Sequence, residues 1–213
     1  LALAEHTQAQ VHFRNLSTQT AARMIKEAQS AGLSVTADVA VHQLHLTEMD
    51  VDGFVAECHV SPPFRTLADR DALRHAVADG TISAISSDHQ PHEPDAKQRP
   101  FPETEPGISG LETLLGLTLR LVEEKVIDLP TALARVTSGP ADILRLPYGR
   151  LGLGSPADVC VFDPDQDWTL HLDEMRSEGR NTPFAGWDFP ARITHTLFNG
   201  RVVYRAMDAH SGH

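Results

Sequence analysis

Hydrophobic and polar residues follow two different spacings along the first two-thirds of the chain. Residues 33–39 are Leu-Ser-Val-Thr-Ala-Asp-Val, with the period of two and the β-branched side chains that favour a strand. Residues 19–31 have a helical pattern, preceded by the N-cap residues Ser17 and Thr18 and followed by Gly32, a typical helix-closing glycine. The same spacing rules predict strands at 11–16 and 81–86, and helices at 1–10, 69–78, 110–125, 130–137 and 140–146.

The alternation of strands and helices indicates the fold class. Strand–helix–strand units are parallel and right-handed, so they wind into either a barrel or an open sheet. Helix 110–125 is amphipathic, and we expect its apolar stripe to face the sheet. The stripe comprises Leu111, Leu114, Leu115, Thr118 and Leu121. The pattern therefore predicts an α/β unit and leaves the choice between barrel and open sheet open.

The pattern changes after Tyr148. A turn rich in glycine and proline leads into a predicted strand, Val-Cys-Val-Phe-Asp, at 159–163. Near the end of the chain, two alternating segments flank Asn199-Gly200, a dipeptide typical of type I′ hairpin turns. The predicted units are an α/β unit at 1–148 and a small β segment at 149–213, of which 209–213 are expected to be frayed.

Composition disfavours several function classes. The net charge is −11, from 29 acidic and 18 basic residues, so nucleic acid would be repelled rather than bound. No apolar run reaches the roughly 20 residues that a membrane-spanning helix needs, and no basic segment followed by an apolar run opens the chain. Cys58 and Cys160 form no CxxC pattern, which favours reduced thiols and a cytoplasmic location.

The segment most typical of a catalytic site is 86–93, Ser-Ser-Asp-His-Gln-Pro-His-Glu. It follows the predicted strand 81–86 directly, and in a parallel barrel the carboxyl ends of the strands carry the active site. Asp88 could ligate a metal or accept a proton from a metal-bound water, and His92 could reach the same space. The alternative is a solvated, histidine-rich loop in which Asp88 caps a turn.

Three other segments place polar residues near predicted strands. His42, after the second strand, is either a metal ligand or an interior histidine, and the second case is the commoner one. His12 lies within the first strand, and Asn15 near its end is an ordinary turn residue by composition. The Pro-Pro segment 59–65 is by composition a rigid loop. No nucleophile elbow, P-loop or dinucleotide-binding glycine motif occurs.

Several segments match, in chain order, the motifs of one family. They are Leu-Ser-Thr at 16–18, Val-Thr-Ala-Asp-Val at 35–39 followed by His42, Ser-Pro-Pro-Phe-Arg at 61–65, Ser-Asp-His-Gln-Pro-His at 87–92, Pro-Gly-Ile-Ser-Gly-Leu-Glu-Thr at 106–113, and Asn-Thr-Pro-Phe-Ala-Gly at 181–186. Together they resemble the dihydroorotases of the amidohydrolase superfamily. The resemblance covers nearly the whole chain.

The resemblance implies a fold and a site. By it, residues 1–148 are the C-terminal part of a (β/α)8 TIM barrel, and residues 149–213 add a small β-sandwich segment. The family's site is a pair of bridged zinc ions at the carboxyl face of the barrel, and its first ligands, a His-x-His pair, would lie upstream of Leu1. Asp88 corresponds to a zinc ligand and proton shuttle. Substrate-contact positions correspond to Ser61, His92 and Gly107.

One zinc-ligand position departs from the family pattern. The zinc-binding histidine that precedes Ser-Thr in the family corresponds to Asn15, and a carboxamide oxygen is a poorer zinc ligand than an imidazole nitrogen. The substrate-binding asparagine of the family's Asn-Pro-Pro corresponds to Ser61. The chain therefore most resembles the noncatalytic dihydroorotase-like chain that assembles with bacterial aspartate transcarbamoylase.

This resemblance sets expectations for function and partners. We expect a noncatalytic assembly subunit with no cofactor in this chain, whose partner is the aspartate transcarbamoylase catalytic chain. Because the chain begins at Leu1 inside a predicted helix, we expect a fragment or processed product that also needs its N-terminal half. A homodimer would be another way to cover the open strand edges. The alternative function is an active zinc-dependent dihydroorotase, which the retained Asp88 and His92 favour.

Overall fold

The computed structural model describes residues 1–206 and contains the predicted alternation of helices and strands. The helices are α1 (Ala2–Thr7), α2 (Gln19–Ser30), α3 (Leu67–Ala78), α4 (Leu114–Glu123), α5 (Leu129–Val136) and α6 (Ser138–Leu144). The strands are β1 (Val11–Phe13), β2 (Val35–Ala40), β3 (Ala84–Ser86), β4 (Val159–Asp163), β5 (Trp168–Thr169), β6 (Asp188–Phe189), β7 (Arg192–Phe198) and β8 (Arg201–Arg205). The predicted fraying of 209–213 lies outside the described residues. None of the helices in residues 1–206 has the length and hydrophobicity of a membrane-spanning segment.

Strands β1, β2 and β3 form a parallel sheet in sequence order. Beyond β3, an isolated parallel bridge joins His89 to Ile108. Five of the six residues of β2 are buried, as expected for a central parallel strand that is covered on both faces. The predicted α/β fold class is confirmed.

Helices α2 to α5 cover this sheet. Helix α2 packs against β2 and α3, while α5 packs against β3 and α4. The most deeply buried apolar side chains of these helices are Leu73, Val77, Leu117, Leu121 and Ala132. They join Ala37 and Val39 of β2 in one hydrophobic core. Burial of each large side chain contributes about 1.5–3 kcal/mol relative to its exposed state, which makes this core the main source of stability.

Several element boundaries differ from the prediction by a few residues, and two of these differences have a clear cause in the structure. Strand β1 ends at Phe13 rather than at residue 16, because Asn15 adopts a left-handed backbone with φ of 53°. Helix α4 begins at Leu114 rather than at residue 110, since the preceding segment runs extended beside the loop after β3. Leu111, predicted within the buried stripe, is consequently 60% exposed. The buried residues of α4 are Gly116, Leu117, Thr118, Leu119 and Leu121.

The C-terminal part of the described chain is mainly β structure. Strands β4, β7 and β8 form an antiparallel sheet, and β5 pairs with β6. The predicted hairpin turn is present at Asn199 and Gly200, whose φ angles of 49° and 74° match the type I′ requirement for two positive values. Phe184 and Phe189 are fully buried and belong to the same core as the helices. The β segment is therefore anchored on the α/β part through these rings.

We predict that Gly139→Ala destabilises the contact between α6 and the start of β3. A Cβ at Gly139 would lie 2.3 Å from the carbonyl oxygen of Ser83, and a backbone atom cannot rotate away. As at other overpacked positions, the free energy of unfolding should fall by about 1–3 kcal/mol, measured by urea denaturation. Gly152→Ala is the matched control, because its Cβ would meet nothing closer than Ser155 Oγ at 3.4 Å. Equal stability of both variants would contradict the prediction.

Candidate functional site

Polar side chains converge where the three parallel strands end. His12 lies on β1 and Asp38 on β2, while Asn15 and Asp88 follow β1 and β3. The carboxyl ends of parallel strands meet at one edge of a sheet, which is where α/β barrels carry their functional groups. These four residues form the candidate site.

Asp38 connects β1 and β2 through its carboxylate. One oxygen, Oδ2, lies 2.9 Å from His12 Nε2, and the other accepts the backbone N–H of Asn15 at 2.7 Å. The second ring nitrogen of His12 lies 2.8 Å from Thr36 Oγ1. The buried carboxylate therefore has the donors that burial demands. No role was predicted for Asp38, although a carboxylate within an otherwise buried strand is itself a sign of such a network.

Asn15 and Asp88 are in direct contact. Asn15 Nδ2 donates to Asp88 Oδ1 at 3.1 Å, and Arg14 Nη2 lies 4.0 Å from the same oxygen. Both Asn15 and Asp88 have left-handed backbones, with φ of 53° and 43°. Asparagine and aspartate tolerate this conformation better than other non-glycine residues. The Asp88 carboxylate thus faces the N–H groups of an amide and of a guanidinium.

The residues that this chain supplies do not fit a zinc ion. A zinc ligand must offer a lone pair, whereas the Asn15 atom nearest to Asp88 is an N–H donor and Arg14 is donor-only. Within residues 1–206, no three His, Cys, Asp or Glu side chains lie close enough together to hold a metal ion. Asn15 Oδ1 is buried without a hydrogen-bond partner among the described atoms, but zinc prefers nitrogen and sulfur to an amide oxygen.

His92 and Gly107 lie on two segments that Asn181 holds together. Asn181 Oδ1 accepts the backbone N–H of His92 at 2.7 Å, and its Nδ2 donates to the carbonyl oxygens of Gln90 and Gly107 at 2.9 and 3.0 Å. Gly107 has a φ of 141°, and a Cβ there would lie 2.5 Å from Gln90 Cβ. Only glycine suits that position. In the sequence, Asn181 is marked only by its place in a family motif, since nothing local to residue 181 indicates this role.

Ser61 stands apart from both pairs of residues. It is exposed, and among the described residues its side chain makes no hydrogen bond to Asp88, Asn15 or His92. Its segment is anchored through its neighbours, because Gln43 Nε2 donates to the carbonyl oxygen of Pro62 at 2.8 Å. The structure therefore brings Asn15 to Asp88 and His92 to Gly107, while Ser61 joins neither pair.

His42 and His45 are interior residues. Burial lowers the pKa of His42 from 6.5 to about 4, against an opposing effect of the Asp88 charge, and its ring packs edge-on against Phe64 at 5.6 Å. Burial also lowers the pKa of His45 to about 3, and its Nε2 lies 2.9 Å from the carbonyl oxygen of Leu117. Both imidazoles are therefore neutral at pH 7. His42 Nδ1 is buried without a hydrogen-bond partner among the described atoms, so burial alone does not distinguish an interior histidine from a ligand.

We predict that stability falls as the pH is lowered from about 6.5 towards 4. In this window the unfolded chain binds protons at His42 and the folded chain does not, so protonation favours unfolding. His42 alone accounts for about 3 kcal/mol, at about 1.4 kcal/mol per pKa unit. His42→Leu should flatten the dependence of unfolding free energy on pH, while replacement of the exposed His171 by Gln should leave it unchanged. An unaltered slope in His42→Leu would contradict the assignment.

Known proteins match nearly the whole chain. The model of the amidohydrolase family matches residues 4–203. The dihydroorotase-like protein of Pseudomonas aeruginosa is 48% identical over 204 residues, which are 96% of this chain and 48% of that protein. The dihydroorotase of Syntrophotalea carbinolica is 46% identical over 206 residues, 97% of this chain and 48% of that protein. The chain thus spans about half the length of the curated relatives it matches.

Solved structures share the arrangement of helices and strands. L-Hydantoinase (dihydropyrimidinase) from Arthrobacter aurescens superposes with a TM-score of 0.90 at 25% identity, covering 96% of this chain and 47% of that one. Dihydropyrimidinase from Brevibacillus agri superposes with a TM-score of 0.89 at 25% identity, covering 96% and 46%. With the family match over residues 4–203 and the dihydroorotase motifs along the sequence, these similarities show that the chain belongs to the amidohydrolase family.

Proposed function

We propose that this chain belongs to a noncatalytic dihydroorotase-like protein of pyrimidine biosynthesis that serves as an assembly subunit for aspartate transcarbamoylase. The observation that carries the proposal is the contact between Asn15 and Asp88. At the position where the resemblance places a zinc-binding histidine, an amide N–H donates to the carboxylate that would otherwise hold the metal. The similarity to a dihydroorotase-like protein of Pseudomonas aeruginosa supports the same conclusion.

The proposed architecture is a partial barrel. Residues 1–148 would form the C-terminal portion of an amidohydrolase (β/α)8 barrel and residues 149–213 a segment of its β-sandwich. Support comes from the sheet, because β1 pairs with β2 alone among the described residues and keeps one free edge. Several apolar side chains from the end of α6 to the start of β4 are also exposed, namely Leu144, Leu146, Leu151 and Leu153. Exposed edges and apolar patches are normally covered.

The N-terminal half of the same protein is the proposed cover. The curated relatives are about twice as long as the aligned part, which leaves a segment of the right size for the other half of a barrel. A homodimer that pairs the two free β1 edges is the second option. The other proposed partner is the aspartate transcarbamoylase catalytic chain. We also propose a cytoplasmic location, where two distant free cysteines remain reduced.

The site residues are proposed to be remnants. Asp88 would be the retained position of a zinc ligand and proton shuttle, and Asn15 the position of a lost histidine ligand. Ser61, His92 and Gly107 would be former substrate contacts. The donors around Asp88 support this interpretation, since the Asn15 N–H takes an acceptor site on the carboxylate oxygen that a histidine at this position would leave open to a metal. No cofactor is expected in this chain.

We predict that the full-length protein retains substoichiometric zinc after dialysis and does not interconvert carbamoyl aspartate and dihydroorotate. Metal content is measured by mass spectrometry and turnover by absorbance, with an active dihydroorotase assayed in parallel. Asp88→Asn should change neither the zinc content nor the absence of turnover, because under the proposal the carboxylate binds no metal ion.

The alternative function is an active, zinc-dependent dihydroorotase that closes carbamoyl aspartate into a cyclic amide. It is favoured by the retention of Asp88 and His92, and several relatives, such as that of Syntrophotalea carbinolica, carry the name dihydroorotase. Stoichiometric zinc together with turnover that Asp88→Asn abolishes would establish this alternative and overturn the noncatalytic proposal.

A separate prediction concerns assembly. The full-length protein should co-sediment with the aspartate transcarbamoylase catalytic chain as a complex larger than either component, detected by analytical ultracentrifugation. The complex should form without added zinc, since the proposed role depends on packing rather than on the metal. If the two proteins sediment independently at concentrations well above those in a cell, the assembly role is wrong.

A further inference from the structure

An exposed loop after β2 combines apolar and acidic side chains. This acidic loop, residues 48–57, has the sequence Glu-Met-Asp-Val-Asp-Gly-Phe-Val-Ala-Glu, with four carboxylates and no lysine or arginine. Val51 packs against the core, but three other apolar side chains point outward: Met49 is 73% exposed, Phe54 75% and Val55 41%. Large apolar side chains this exposed and this close in sequence are uncommon on a surface that meets only water.

The Phe54 ring forms part of a small aromatic cluster. Its centroid lies 5.8 Å from that of Phe101, which in turn lies 4.7 Å from the ring of His59. Phe101 belongs to a separate segment of the chain, so the cluster joins two loops on the same face. The cluster supports Phe54 from one side and leaves the other side of its ring free.

The acidic loop is held in a defined conformation. Thr47 and Asp50 form a reciprocal capping box, with the N–H of Thr47 donating to Asp50 Oδ2 at 2.7 Å. The buried ammonium of Lys97 donates to the carbonyl oxygen of Ala56 at 3.1 Å and to that of Glu105 at 2.7 Å. The loop therefore loses little conformational entropy when it binds a partner, as in preorganised interfaces.

Phe54 itself has a strained backbone. Its φ is 59°, a region that bulky non-glycine residues seldom occupy, and it follows Gly53 at 76°. Strained residues of this kind collect at functional sites. Here the effect of the strain is to project an aromatic ring into solvent.

The charges of the acidic loop are available to a partner. Among the ion pairs of residues 1–206, none includes Glu48, Asp52 or Glu57, and Asp50 is hydrogen-bonded only to Thr47. Burial lowers the pKa of Lys97 and the charges of Glu57 and Glu105 oppose that shift, so Lys97 offsets part of their negative potential. The nearby Glu103 and Glu105 add to the negative potential. An apolar centre within a ring of unpaired carboxylates is complementary to an apolar pocket rimmed by lysine and arginine.

We propose that the acidic loop is a protein-docking surface that inserts Phe54 and Met49 into an apolar pocket with a basic rim on another chain. Nucleic acid and anionic lipid surfaces would be repelled by the carboxylates. A second copy of this chain is disfavoured, because a two-fold contact would set the acidic loop against itself. The inference rests on the proposed function, which makes the aspartate transcarbamoylase catalytic chain the partner to test.

The experiment measures binding of the full-length protein to that catalytic chain by sedimentation and calorimetry. The first variant is Met49→Ser with Phe54→Ser, which removes the apolar centre and should weaken binding at least tenfold. The second is Glu48→Gln, Asp52→Gln and Glu57→Gln, which keeps the cap residue Asp50. Its affinity should fall at low salt, and its dependence on salt concentration should be smaller than that of the wild type.

Matched controls lie on the helices that cover the sheet. Met24→Ser removes a methionine that is 45% exposed on α2, and Glu123→Gln removes an exposed carboxylate on α4. Both should bind as the wild type does. All variants should unfold cooperatively as the wild type does, because none of the substituted side chains belongs to the hydrophobic core.

The outcomes separate two kinds of failure. If the wild type does not bind the catalytic chain, the assembly function and this inference fall together. If the wild type binds and the two acidic-loop variants bind equally well, assembly stands and the docking surface is wrong. Weakening in the acidic-loop variants with normal binding in both controls is the result that supports the inference.

Discussion

The buried carboxylate of Asp38 fixes the edge of the sheet at which the candidate site lies. A carboxylate in this position must be met by donors, and it receives the N–H of Asn15 and the ring of His12. The backbone carbonyl of Asp38 also accepts the N–H of Leu16 at 3.0 Å. Asp38 of β2 thus binds the two consecutive backbone N–H groups that follow β1. For this reason β1 leaves the sheet directly after Phe13.

That turn determines what the Asp88 carboxylate meets. With its backbone held by Asp38, Asn15 directs its side chain across to Asp88, 73 residues further along the chain. The same backbone would present the lone pair of an imidazole if residue 15 were a histidine. The side chain at position 15 therefore determines whether this position provides a lone pair for a metal or a hydrogen-bond donor for Asp88. Under the proposed function, the chemistry is lost without any change in the fold.

The extent to which the sequence predicted the structure depends on how local each feature is. Helix α2 and strand β2 were predicted closely, because the cap at Thr18, the closing Gly32 and the alternation in β2 act over a few residues. The exposure of Leu111 could not be predicted, since it follows from the extended pairing of a neighbouring segment with the loop after β3. Periodicity carries no information about such tertiary contacts.

The candidate site likewise combines features that the sequence predicts with features that depend on distant contacts. The proximity of Asn15 and Asp88 follows from parallel strands that end at one edge, and the family motifs indicated both positions. The role of Asn181 lies outside any such rule, because its partners His92 and Gly107 are 89 and 74 residues away in sequence. A polar side chain whose partners are distant becomes visible only once the fold is known.

The C-terminal segment links the site to the stability of the whole chain. Phe184 and Phe189 lie in the same core as Leu117 and Leu121, so the segment cannot detach without exposing that core. Between these rings and β5, Asn181 reaches the loops around His92. Asn15 lies outside this core, whereas loss of the core would disorder the surface as well. A chain selected for a docking surface would thus retain the fold, and the remains of its site, after zinc ligands are lost.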